Sequence, residues 1–109
     1  MNDLQELITV LKKFRDERDW EQFHNAKDLA LAINIEAGEL LELFLWKSAD
    51  EADNSKVKQE LADVFIFALL LADKYHFDVR QIILEKIKMN ESNYPVNKAK
   101  GTSRKHTDL

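Results

Sequence analysis

Cysteine is absent from this chain, and its 109 residues include only two glycines and one proline. Without cysteine there is no disulfide, and no thiol to serve as nucleophile or metal ligand. So little glycine and proline argues against a sandwich or barrel with many tight turns, and for long helices with few breaks. Charge of one sign is also scarce: a net −4 gives no general pull toward a nucleic acid polymer or an anionic membrane. The longest apolar run, VFIFALLLA at Val64–Ala72, falls far short of the ~20 residues that span a bilayer. The opening MNDLQELITVLKKF has no basic stretch followed by an apolar one, so no secretory signal is expected and the expected location is cytoplasmic.

What is present is a globular balance of 45% apolar and 33% charged residues, enough for one modest core. The expected organisation is a single helical domain over 1–95 and a polar basic tail over 96–109, with Lys98, Lys100, Arg104 and Lys105. Leu4, Leu7, Ile8, Leu11 and Phe14 recur at helical spacing and predict a first helix over 3–18, capped by Asn2 or Asp3. The stretch RDWEQFHNAK, 18–27, breaks the pattern and is more aromatic than a spacer requires. A second helix is expected from about Asp28 to Trp46, then a polar loop over 47–54. A third runs from a Ser55 cap to about Tyr75, and a fourth from an Asp78 cap to just before Pro95. The fold class is therefore all-α, a four-helix bundle. The Val64–Ala72 run covers every face of its helix and must be buried all round. Four helices in one layer cannot surround one of their own, which implies a subunit interface. The plainer alternative is that the first helix folds over the open side.

The chemistry lies in LALAINIEAGELLELFLW, 29–46, and KQELADVFIF, 58–67. Glu36 and Glu39 are helix neighbours, as are Glu60 and Asp63. Ala32, Ile33, Leu40 and Leu43 surround the first pair, and Val57, Val64, Phe67 and Leu71 the second. Four carboxylates on apolar stripes repel one another and cost several kcal/mol each to desolvate unless compensated. No lysine or arginine shares that face. Either their pKa values rise or a hard cation sits among them, and all-oxygen ligands suit Mg²⁺ or Mn²⁺. A charged helix edge is the plain alternative for either pair alone. Two such pairs on consecutive helices point to metal. Gly38, inside the acidic helix, costs ~1 kcal/mol relative to alanine and leaves room for a close approach. Glu42 continues the series but drifts off the acid edge, behind the ligands. The ExxH spacing of Glu21 and His24 suggests a di-iron site only superficially, since that architecture needs two such units plus two more glutamates.

ExxE at Glu36–Glu39 followed by ExxD at Glu60–Asp63 resembles the signature of the MazG-like all-α nucleoside triphosphate pyrophosphohydrolases. The string FRDERDWEQFHNAKDLALAINIEAGELLELFLW, with NYP near residue 94 and the SRKHT tail, is similar to the dCTP pyrophosphatase branch. The resemblance covers nearly the whole chain. It implies a helical bundle assembling into a homodimer or homotetramer, a dimer of dimers. It implies that Glu36, Glu39, Glu60 and Asp63 bind Mg²⁺, with Mn²⁺ as a possible substitute, and that a nucleoside triphosphate, dCTP first, is hydrolysed to the monophosphate and diphosphate. Trp20 and Trp46 would help enclose the base, with His24 nearby. Lys86, Asn90 and Tyr94 would meet phosphate or sugar. The chain departs from the branch at Phe67 and His106, where tyrosine is usual. The other readings are a relative acting on another nucleotide such as dUTP, and a non-catalytic helical interaction protein with an acidic rim.

Overall fold

The computed structural model describes residues 3–109. Among them there are helices and short 3-10 turns and no strand, so the all-α expectation is borne out. The first helix, α1, spans Asp3–Asp16, with Asp3 and Glu6 in its first turn and Lys13 and Arg15 in its last, each complementing the helix dipole. The cap candidate Asn2 lies outside the described residues, and the helix stops two residues short of the expected 18. The connection to the next helix has structure of its own: Trp20–Phe23 forms a 3-10 turn, entered through Asp19 in the left-handed region at φ 54°.

Helix α2, Ala26–Glu42, begins earlier than expected. Asn25 is its cap, with Oδ1 accepting from the Asp28 N–H at 2.8 Å. Asp28 is therefore a first-turn acid, held by the Asn25 amide. The helix also ends earlier, because after Glu42 the backbone tightens. Leu43, Phe44 and Leu45 donate to carbonyls three residues back, and Trp46 flips to φ 61°. The polar loop carries a 3-10 turn, Ala49–Glu51, in which the Glu51 carboxylate accepts from the Ser48 N–H and hydroxyl.

Helix α3, Asn54–Lys74, is capped by Asp53 rather than Ser55. The Asp53 carboxylate accepts from the N–H groups of Ser55 and Lys56 and from the Ser55 hydroxyl. A carboxylate outcompetes a hydroxyl here because it serves several of the orphan donors at once. The C-terminus closes with the His76 N–H on the Asp73 carbonyl and the Phe77 N–H on the Ala72 carbonyl. This is a Schellman pairing, with His76 at φ 59° where glycine is usual.

The chain divides into two units, one through Phe77 and one from Asp78 onward. In the first, α2 packs along α3 as a helical hairpin, and α1 packs on α3. Leu29, Leu70 and Ala72 are its buried apolar residues; burying one leucine contributes about 1.5–3 kcal/mol. Within the chain the Val64–Ala72 run is not covered on every side: Phe65 is 59% exposed. One layer of helices leaves that side uncovered. So too on α2, where Leu31, Ile35 and Leu41 are exposed on the face away from Leu29.

In the second unit, α4 spans Val79–Asn93, capped by Asp78 on the Gln81 N–H as expected. It ends before Pro95, which opens a one-turn helix, α5, Val96–Ala99. The polar stretch after 95 is thus partly ordered: His106–Asp108 forms a 3-10 turn, and the His106 ring meets the Tyr94 ring edge-on at 5.6 Å.

Candidate metal and nucleotide site

The hairpin brings the two acid pairs together. Glu36 lies on the Leu29 side of α2, and Glu60 and Asp63 lie one turn apart on α3. One carboxylate oxygen from each of these three comes within 4.8 Å of the others. All three side chains are partly buried. Glu39, one turn on from Glu36, is exposed and lies outside this group of three. It still acts on it, as the charge effects on Glu36 and Glu60 require.

The electrostatics are those of carboxylates crowded together and partly buried. Burial pushes the Glu36 carboxyl up to about 7, and the Glu39 and Asp63 carboxyls beside it add to the effect. Burial also raises Glu60; hydrogen bonding with Glu36 opposes that rise, while Glu39 and Asp63 reinforce it. Glu36 Oε2 and Glu60 Oε2 are buried with no hydrogen-bond partner. A buried carboxylate oxygen without a donor is costly, and among the described residues no lysine or arginine forms an ion pair with either acid. Three carboxylates whose oxygens converge within this distance, two of them with an unpartnered oxygen, fit a divalent cation such as Mg²⁺, which completes its shell with water and phosphate oxygens.

Around His24 the arrangement is different. Its backbone N–H donates to the Glu21 carbonyl at 2.9 Å. Its ring meets the Phe67 ring edge-on at 6.4 Å, one turn beyond Asp63 on α3. Nδ1 is buried and unpartnered. Burial, then the Arg15 and Lys74 cations, push the imidazole below its usual pKa, so it is neutral near pH 7. Glu21 is occupied by Arg15 and Lys74, and His24 takes no part in the acid cluster.

Trp20 packs edge-on against Phe14 at 5.7 Å, with the Arg18 guanidinium over the Phe14 ring at 3.6 Å. Trp20 keeps 43% of its surface exposed. Trp46 is 99% exposed and held in a left-handed backbone, an outlier conformation for a bulky residue. It contributes nothing to its own chain's core. Lys86 and Asn90 lie one turn apart on α4, both exposed, and the Tyr94 N–H donates to the Asn90 carbonyl at 2.7 Å. Gly38 is exposed, and a Cβ there would meet nothing within 4 Å. Glu42 ends α2 exposed.

Sequence reasoning overlooked Arg15. It reads as an ordinary basic residue in a last helical turn, yet it is 6% exposed, the buried charged residue of the described chain. No local pattern announces this, because its burial depends on how α1, α3 and the Trp20–Phe23 turn meet.

The described residues thus form an all-α scaffold whose converging carboxylates could hold a metal ion. The chain matches the model of the MazG-like family over residues 31–109. It is similar to dCTP pyrophosphatase 1 of Mus musculus, 39% identical over 97% of this chain and 67% of that protein. Against dCTP pyrophosphatase 1 of Homo sapiens it is 37% identical over the same shares. A crystal structure of a pyrophosphatase from Archaeoglobus fulgidus superposes with a TM-score of 0.81 at 37% identity, covering 87% of this chain and 94% of that one. The chain belongs to the MazG-like family.

Proposed function

We propose that this chain is a Mg²⁺-dependent nucleoside triphosphate pyrophosphohydrolase that prefers dCTP, converting dCTP and water to dCMP and diphosphate in the cytoplasmic nucleotide pool. The observation that carries the reading is the carboxylate cluster of Glu36, Glu60 and Asp63, with its two orphaned buried oxygens. The names and identities of the relatives supply the base. Glu36, Glu60 and Asp63 would hold the cation. A cation held there would supply charge neutralisation at the phosphate oxygens. Water attacks the α-phosphorus, the bond from that phosphorus to the bridging oxygen breaks, and diphosphate leaves. The water's proton passes to a carboxylate of the same cluster. Glu39 completes the acid set at its exposed edge.

On the substrate side, the neutral His24 has an unpartnered Nδ1 to offer to a base or sugar group. Trp20 and Trp46 have open ring surface to stack on a base, an interaction worth ~1–3 kcal/mol in other systems. Lys86, Asn90 and Tyr94 are proposed as phosphate- and sugar-side contacts. The exposed apolar faces of α2 and α3 support a homodimer or a dimer of dimers. The test is a panel of dCTP, dUTP, dTTP, dATP and dGTP with diphosphate detection, run with Mg²⁺, Mn²⁺ and chelator. Fastest turnover of dCTP, abolished by chelator, is expected. Equal rates on all five, or none with Mg²⁺, overturns the reading.

A further inference from the structure

Within the Trp20–Phe23 turn Gln22 Nε2 donates to the Asp19 carbonyl at 2.8 Å, and Trp20 packs on Phe14, but the turn is not buried against the helices. None of its residues is buried, Phe23 is 62% exposed, and Asp19 makes no side-chain cap. Yet the segment carries Trp20 and ends at His24. Its charged tie to α1 and α3 is Glu21. The Glu21 carboxylate lies 3.9 Å from the Arg15 guanidinium on α1 and 3.8 Å from the Lys74 ammonium on α3. The same residue's carbonyl accepts the His24 N–H. Arg15 is also bound at Nε by Asp16, at 2.8 Å, and Lys12 pairs with Asp73 at 3.6 Å, which ties α1 to α3 directly. A buried guanidinium has to be compensated where it stands, so Arg15 constrains the carboxylates around it more than a surface arginine would.

We propose that Arg15 is a positioning residue for substrate binding, acting through the Glu21 carboxylate to fix the His24 ring with its free Nδ1 beside Phe67. The chain of contact is short. Arg15 holds the Glu21 side chain, the Glu21 backbone holds His24, and His24 meets the helix that carries Glu60 and Asp63. The proposal rests on the proposed substrate-facing role of His24.

The experiment is a double-mutant cycle on the full chain with Mg²⁺ and dCTP: Arg15→Met, His24→Ala and the pair. Glu21→Gln is made in both backgrounds, because it cuts the same tether from an exposed side chain. Arg15→Met is expected to raise KM about tenfold, the scale of one hydrogen bond lost from binding. Glu21→Gln acts in the same direction, and Arg15→Lys recovers part of the loss. In the tether variants Arg15→Met and Glu21→Gln the kcat and the Mg²⁺ half-saturation stay unchanged. In the His24→Ala background neither Arg15→Met nor Glu21→Gln raises KM further. If His24→Ala alone leaves KM unchanged, the substrate-side reading of His24 fails and the proposal falls with it. If His24→Ala raises KM while the tether variants leave it unchanged, or add in full to it, the positioning role is overturned and the His24 reading stands. Should Arg15→Met not fold, Glu21→Gln in the two backgrounds separates the same outcomes.

Discussion

Replacing Glu36 with glutamine keeps the shape of the side chain and removes its charge. In the metal-free protein this should stabilise the fold. Burial and the neighbouring acids move the Glu36 midpoint from 4.5 to about 7, and at 1.36 kcal/mol per pH unit that corresponds to about 3 kcal/mol. Glu36 keeps partial solvent access and shares its repulsion with Glu39 and Asp63, so screening brings the expected gain at pH 8 to about 1–2 kcal/mol. For a domain of this size that is a rise in Tm of about 4–10 °C. The sign comes from the raised folded-state pKa. Protonation of Glu36 favours the fold fully below 4.5, and that contribution is lost as pH rises through about 7. The Tm gap between Glu36→Gln and wild type should therefore be small at pH 4.5 and widest at pH 8. Saturating Mg²⁺ should reverse it, since the cation stabilises the wild type by mass action and the variant much less. The assay is thermal melting of both proteins across this pH range, with chelator and with Mg²⁺. A variant that melts earlier at pH 8 in chelator, or a gap that does not change with pH, would refute the reasoning and make Glu36 a structural hydrogen-bonding residue.

Asp63→Asn should abolish Mg²⁺-dependent turnover while far-UV circular dichroism stays that of the wild type; retained activity would remove Asp63 from the ligand set. Trp46→Ala should raise KM for dCTP more than it lowers kcat, with no loss of Tm, because a side chain 99% exposed supports no core; an earlier melt with normal kinetics would contradict this. His76→Gly should raise Tm, since a left-handed position costs a non-glycine residue about 1 kcal/mol, and turnover should not change. Sedimentation at micromolar concentration should show no monomer, given the exposed Leu31, Ile35, Leu41 and Phe65; a well-folded monomer would sink the interface.

By itself the sequence determined the helices and the acids. Apolar spacing carries helix periodicity along the chain whatever the tertiary context. Asp78 and Pro95 bound α4 by local chemistry, one capping and the other stopping the helix. The pairs at Glu36–Glu39 and Glu60–Asp63 were legible because neighbours three apart on a helix are fixed by its pitch. Local competition moved the other boundaries: an Asn25 cap started α2 ahead of Asp28, Asp53 displaced Ser55 as cap, and Trp46 fell beyond a helix that had already tightened. Only the tertiary structure decided which acids converge. Glu36, Glu60 and Asp63 meet and Glu39 stays at the exposed edge, because the angle at which α2 lies on α3 selects one side of each helix. It likewise decided that Arg15 is buried and Trp46 is not. Burial is a property of the packed assembly of helices, and a sequence of side chains specifies it only after those helices have found one another.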